Sequence, residues 1–190
     1  MKNLTDLVAI MMGKMKNVLF FVLLLFIISS CYSQETGIPK WFVEEMEWEI
    51  GTWIGDNSKY KSDQEPFESY VIEWNWGINK KSLIGKMYAV HNDKASEPFW
   101  EFRKYWDGEK QMPIVMQFGN DGTFGIGALT RINEKESKLL QIFTTPNGSQ
   151  YKSGHKNVII DSISQLGNSY SINEKNEWAE QRSYTWVKKE

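Results

Sequence analysis

Between Trp53 and Lys188 the chain repeats one pattern: a short segment in which every second residue is large and apolar, then a cluster of Gly, Asn, Asp or Pro. Tyr70, Ile72, Trp74 and Trp76 fall on one face of an extended segment, with Glu73 and Asn75 on the other, because successive strand side chains point to opposite sides. Trp100, Phe102 and Trp106 repeat the arrangement and share their face with Lys104, opposite Glu101 and Arg103. Met112, Ile114, Met116 and Phe118 repeat it again. Turn chemistry stands at Gly77-Ile78-Asn79, His91-Asn92-Asp93, Asp107-Gly108, Gly119-Asn120-Asp121-Gly122, Pro146-Asn147-Gly148 and Gly167-Asn168. Strands are therefore expected at about 69–76, 82–90, 98–106, 112–118, 123–132, 138–145, 155–162, 168–173 and 180–188, with one more around Trp53. A sheet of that size curls or closes, since long open edges invite aggregation. The expected class is all-β: an antiparallel barrel of eight to ten strands, each giving an aromatic-rich face to a common interior.

One segment reads differently. In Pro39 to Glu49, Pro suits a first helical turn, Phe42, Met46 and Ile50 recur every four residues, and Gly51 stops the run. This is expected to be a short N-terminal lid or plug helix, with Glu44, Glu45, Glu47 and Glu49 as its solvated side. Gly125 and Gly127 lie on one face of a strand, where glycine marks barrel curvature or room for a ring.

The first thirty residues concern targeting. Val18 to Ile28 is an uninterrupted apolar run behind Lys14 and Lys16 and before Ser29, Ser30 and Cys31. Its eleven residues span about 16 Å as a helix, too short to cross a bilayer and right for a signal peptide. Ile28-Ser29-Ser30-Cys31 resembles the lipobox of bacterial lipoproteins, which implies cleavage before Cys31 and lipidation of it. The rival reading is ordinary cleavage after Ser33. Translation starts at Met1 or at Met15, from which Lys16 and the apolar run follow directly. The organisation expected is a signal peptide at 1–30, a linker at 31–40 and one domain at 41–190, exported and lipid-anchored in the cell envelope.

Charge and chemistry exclude several classes. Beyond residue 30 the chain carries 19 basic and 23 acidic side chains, without the surplus of Lys and Arg that phosphate neutralisation requires, so no nucleic acid is expected as a partner. Two His and one Cys, the latter in the export segment, cannot assemble a soft-ligand metal site. No Ser sits in a Gly-x-Ser-x-Gly elbow. His91 reads as a turn residue and His155 as a satisfied or exposed one at the head of a strand. No catalytic residue and no metal is expected.

Trp48-Glu49-Ile50-Gly51-Thr52-Trp53 places Gly-x-Trp at the close of a helix and the opening of a strand, which resembles the N-terminal motif of lipocalins and related calycin barrels. Ser82-Leu83-Ile84-Gly85, Tyr105-Trp106-Asp107-Gly108 and Tyr184-Thr185-Trp186 look like those of secreted bacterial lipocalin-like domains whose function is not established. The resemblance implies a lipocalin-like barrel in which Trp53 closes the floor and an Arg of the last strand, here Arg182, packs across it. Gly51-Thr52-Trp53 is also similar to the opening of haem-binding nitrobindin-type barrels, which carry a haem-ligating His near the C-terminus. The last His here, His155, stands well before the closing strand, and no cofactor is expected.

All nine Trp lie beyond residue 40, enough to fill a core or to line a lumen. The functional expectation is a non-enzymatic binding protein taking a small apolar or amphipathic molecule into an aromatic-lined barrel. Trp74, Trp76, Trp100, Phe102, Met116 and Phe118 would line it, and Lys104 or Arg131 would fix a polar end at the rim. Its other partner is the membrane, through the N-terminal lipid. Two alternatives stand beside it: a structural or assembly lipoprotein with a filled interior, and a small enzyme in the barrel mouth using Glu73, Lys104 or His155 as acid or base.

Overall fold

The computed structural model describes residues 37–189; the signal segment and Cys31 lie outside the described residues. Helix α1 (Lys40–Glu49) leads into eleven strands: β1 (Gly51–Asp56), β2 (Ser69–Trp76), β3 (Ser82–His91), β4 (Lys94–Ala95), β5 (Trp100–Asp107), β6 (Met112–Gly119), β7 (Phe124–Arg131), β8 (Glu136–Thr144), β9 (Gln150–Ile159), β10 (Ser164–Ile172) and β11 (Trp178–Lys188). The pairing runs β2-β1-β11-β10-β9-β8-β7-β6-β5-β3, and β2 also pairs with β3, so the sheet closes into a ten-stranded antiparallel barrel. Strand β4 only extends the rim of β3. Closure removes every long edge, and it commits alternate side chains of each strand to the lumen.

Local chemistry accounts for the connections. Asn92 and Asp93 both adopt positive φ, 49° and 60°, as a two-residue turn between β3 and β4 requires of residues tolerant of the left-handed region. Gly51 ends α1 at φ 120°, which a residue with a Cβ rarely adopts. The Gly167-Asn168 pair, by contrast, is not a turn but lies within β10. The chain reverses instead at 160–163, where the Asp161 carboxylate accepts the Ile163 N–H. Gly167 serves packing: a Cβ there would meet the Trp186 indole at 3.0 Å. Gly125 likewise leaves room for the ring of Phe143, and Gly127 for the backbone of β8.

One end of the barrel is plugged by α1. Phe42 and Met46 pack against Leu83, all three fully buried, and each such side chain contributes about 1.5–3 kcal/mol. Glu44 and Glu47 face solvent, as expected. Glu45 and Glu49 do not: they share the inward stripe of Phe42 and Met46 and reach Lys104 on β5. The Lys104 ammonium donates to Glu45 Oε1 at 2.5 Å and to Glu49 Oε1 and Oε2 at 2.8 and 3.0 Å. Burial opposes charge on Lys104, yet the two carboxylates hold its pKa above the ordinary value. Burial also pushes the Glu49 carboxyl upward, only partly opposed by Lys104. Two carboxylates and one ammonium are thus enclosed together, an arrangement that is costly to break from one side. The indole of Trp48 adds a bond to Ser162 O at 3.0 Å, tying the helix to the β9–β10 turn.

The closing contact at the floor differs from the expected one. Trp53 is buried and donates its indole N–H to Glu49 O at 2.7 Å. The cation across it is Lys188, 5.4 Å from the ring, because β1 pairs Trp53 directly with Lys188. Arg182 lies six residues earlier on the strand, about 20 Å away at the rise of an extended chain.

Lys104→Ala is expected to destabilise the protein by about 3–5 kcal/mol in urea denaturation, since it strands two buried carboxylates. The triple replacement Lys104→Met, Glu45→Gln, Glu49→Gln is expected to recover most of that loss. A single variant as stable as the parent would contradict the plug described.

Candidate functional site

The barrel encloses a cavity of about 440 Å³. Ten strands enclose a wider lumen than the eight that side chains can just fill, so residual space follows from the strand count. Its walls are unlike. On β2, β3 and β5 the inward residues are Ile72, Trp74, Met87, Trp100 and Phe102, with Trp74 and Phe102 tilted together at 5.4 Å between ring centres. On β6, β8, β9 and β10 they include Gln117, Ser137, His155, Asn157, Gln165 and Ser169. Strand β9 stands five places round the ring from β3, so the polar residues of β8, β9 and β10 face the aromatic wall, while Gln117 on β6 stands beside Phe102.

Each end carries a charged cluster. At the α1 end it is Lys104 with Glu45 and Glu49. At the other end the segment between β1 and β2 folds inward. Arg182 grips both oxygens of Glu65, while Tyr70 O–H donates to Glu65 Oε1 and Tyr184 O–H to Asn57 Oδ1 at 2.8 Å. The bonds from Arg182, foremost, hold the Glu65 carboxyl well down, to about 2. Arg182 is held protonated by the same partner.

Several expected site residues meet here and others do not. Trp74, Trp100, Phe102 and Lys104 line the lumen. Trp76 instead joins the apolar cluster around α1. Met116 and Phe118 turn outward, Phe118 against Phe124 at 5.1 Å. The large apolar residues of β6, Met112, Ile114, Met116 and Phe118, share the outer face, so their alternation marks the wrong side. Pairing of Phe102 with Gln117 and of Lys104 with Val115 fixes Val115 and Gln117 as the inward pair. Arg131 lies outside the lumen, 5.1 Å from the ring of Trp41, in a polar groove along α1. That groove shares Glu49, Ser137, Asn157 and Gln165 with the lumen, which marks where the two spaces meet.

The polar wall is what sequence reasoning missed. His155 is not at a strand head: β9 begins at Gln150 and carries the half-buried imidazole into the lumen. Burial lowers its pKa to about 4, so it is neutral at physiological pH. None of the six polar side chains just named has a side-chain hydrogen-bond partner among the described residues, so their donors and acceptors face the cavity. Glu73 lies on the outer face, bonded to Tyr88 O–H and Lys86. The Glu73, Lys104 and His155 set therefore does not come together, and Lys104 is already held by two carboxylates. A haem-ligating His near the C-terminus, as in nitrobindin-type barrels, has no counterpart here: the imidazole in the lumen is that of His155 on β9.

No family model matches the chain, and no curated protein matches it. Among solved structures, the fold is similar to the crystal structure of Rv2717c from M. tuberculosis, with a TM-score of 0.51 and 10% identity, covering 81% of this chain and 100% of that one. At that identity the likeness concerns architecture alone.

Below pH 6.5 the unfolded chain protonates His155 while the folded chain resists until about pH 4, so stability is complete above pH 6.5 and falls as the pH drops through that window. The loss between pH 7 and pH 5 is expected to be about 2 kcal/mol more for the parent than for His155→Gln in paired urea titrations. Equal losses would place the imidazole in solvent.

Proposed function

We propose that the protein is an exported, lipid-anchored binding protein of lipocalin-like character, which takes a small apolar or amphipathic molecule into its barrel and does no chemistry on it. The observation that carries this reading is the lumen itself. A cavity of about 440 Å³, walled by Trp, Phe and Met with a few polar side chains, has the size and character of small-molecule sites. It weighs against the alternative of a structural lipoprotein with a filled interior. The lipocalin-like element rests on Gly51-Thr52-Trp53 at the closed floor, in a ring of ten strands where lipocalins have eight. Burial of ligand surface would supply the affinity at about 25 cal/mol per Å².

Anchoring rests on Cys31 and the apolar run before it. Among the described residues no helix is long and apolar enough to cross a membrane.

N-phenyl-1-naphthylamine, neutral and apolar, is expected to gain fluorescence on binding, and Leu139→Trp, which fills the lumen, to weaken it at least tenfold. Met116→Ser with Phe118→Ser on the outer face should leave it unchanged. Sensitivity to the outer pair and indifference to Leu139→Trp would refute binding in the barrel. Separately, Cys31→Ser is expected to move the protein from the membrane fraction to the soluble one; unchanged partitioning would remove the lipid anchor.

A further inference from the structure

We infer that the lumen selects an uncharged ring compound with its hydrogen-bonding groups spread along one edge, and discriminates against fatty-acid-type anions. The inference rests on the binding-protein reading above and names the class of molecule it takes.

Three observations lead there. First, the lumen holds two cations among its lining residues, and both are neutralised within the protein: Lys104 by Glu45 and Glu49, and Arg182 by Glu65. A chain amphiphile with a carboxylate head needs a free cation at one end of its cavity. Here the charges at each end balance or leave an excess of carboxylate, so an anionic head would lose its hydration without gaining a partner. Second, the unpartnered groups are neutral and run from Ser137, Asn157 and Gln165, where the lumen meets the groove along α1, to His155 and Ser169, which the groove does not reach. Ser137, His155, Asn157, Gln165 and Ser169 come from the adjacent strands β8, β9 and β10 and form a wall, with Gln117 apart from it on β6 beside Phe102. Amide and hydroxyl groups supply both donors and acceptors, and a neutral imidazole adds one of each. Third, Trp74, Trp100 and Phe102 stand opposite that wall, offering ring faces to the apolar side of a guest. A molecule that satisfies both walls at once is apolar on one edge and rich in carbonyl, N–H or ring nitrogen on the other. Leaving those groups unpaired is what a plain hydrocarbon would do, and sites built to bond polar edges reject analogues lacking them.

The test compares four probes on the same refolded, lipid-free protein at pH 7.5: lumichrome, a neutral tricycle with carbonyl and N–H groups along one edge; N-phenyl-1-naphthylamine, neutral without such an edge; and laurate and haemin, both carboxylates. Lumichrome is expected to bind at least tenfold more tightly than each of the others, quenching Trp fluorescence. Asn157→Leu with Gln165→Leu should weaken lumichrome at least tenfold while leaving N-phenyl-1-naphthylamine within twofold. Should that double variant fail to fold, Ser137→Ala with Ser169→Ala is expected to act in the same direction. Laurate or haemin bound as tightly as lumichrome, or lumichrome indifferent to loss of the polar wall, would overturn the inference. Binding of N-phenyl-1-naphthylamine without lumichrome would overturn it while the binding-protein reading stands, and no binding by any probe would remove both.

Discussion

Closure of the sheet by the β2–β3 pairing is the constraint on which the other features depend. Once ten strands form a ring, each alternate side chain is committed to the lumen, and the ring is too wide for those side chains to meet across it. An open sheet could have packed a second layer onto its apolar face. A closed one has to leave its interior empty, fill it with water, or reserve it for another molecule. The aromatic residues of β2 and β5 and the polar residues of β9 and β10 are consequences of this geometry, standing on opposite arcs of one circle.

The two charged clusters follow from the same constraint. A barrel has ends, and an apolar lumen open at both would lose its contents and its stability. Here α1 covers one end and the segment between β1 and β2 the other. Each is fastened by a cation that the strands project inward, Lys104 or Arg182, and by carboxylates that the covering segment brings to it. Salt bridges enclosed in this way add little net stability, but they penalise any arrangement in which one partner is absent. They fix which segment lies on which end, and they leave the lumen between them without a free charge.

Much of this was legible in the residues, and the failures have physical causes. The alternation in Tyr70 to Trp76 and Trp100 to Trp106 identified strands and inward faces, because one face was distinctly polar. In Met112 to Gly119 the large apolar groups Met112, Ile114, Met116 and Phe118 share the outward face while Val115 and Gln117 point inward, so the inward face is decided by neighbouring strands through register, which local pattern does not contain. Gly167-Asn168 has turn composition, yet its glycine is needed beneath Trp186, a residue far along the chain. Glu45 and Glu49 could have been found: they fall at helical spacing with Phe42 and Met46, and Lys104 is the one basic residue on an otherwise aromatic strand face. His155 enters the lumen from mid-strand because β9 starts at Gln150, in a polar stretch, Gln150 to Ser153, whose residues carry no apolar alternation of their own. The placement of Arg182 over Trp53 came from a resemblance, and pairing of Trp53 with Lys188 displaced it.

The central claim is that ligand space lies inside the ring, against particular indoles. The nine Trp provide their own reporters in a ¹H–¹⁵N spectrum of indole N–H groups, titrated with N-phenyl-1-naphthylamine. Trp74, Trp100 and Trp186 line the lumen and are expected to shift. Trp41 on α1, Trp76 beside it, and Trp178 on the outer face over Gly154 are expected to stay in place. Shifts confined to Trp41, Trp76 and Trp178, with the three lumen signals unmoved, would contradict the account.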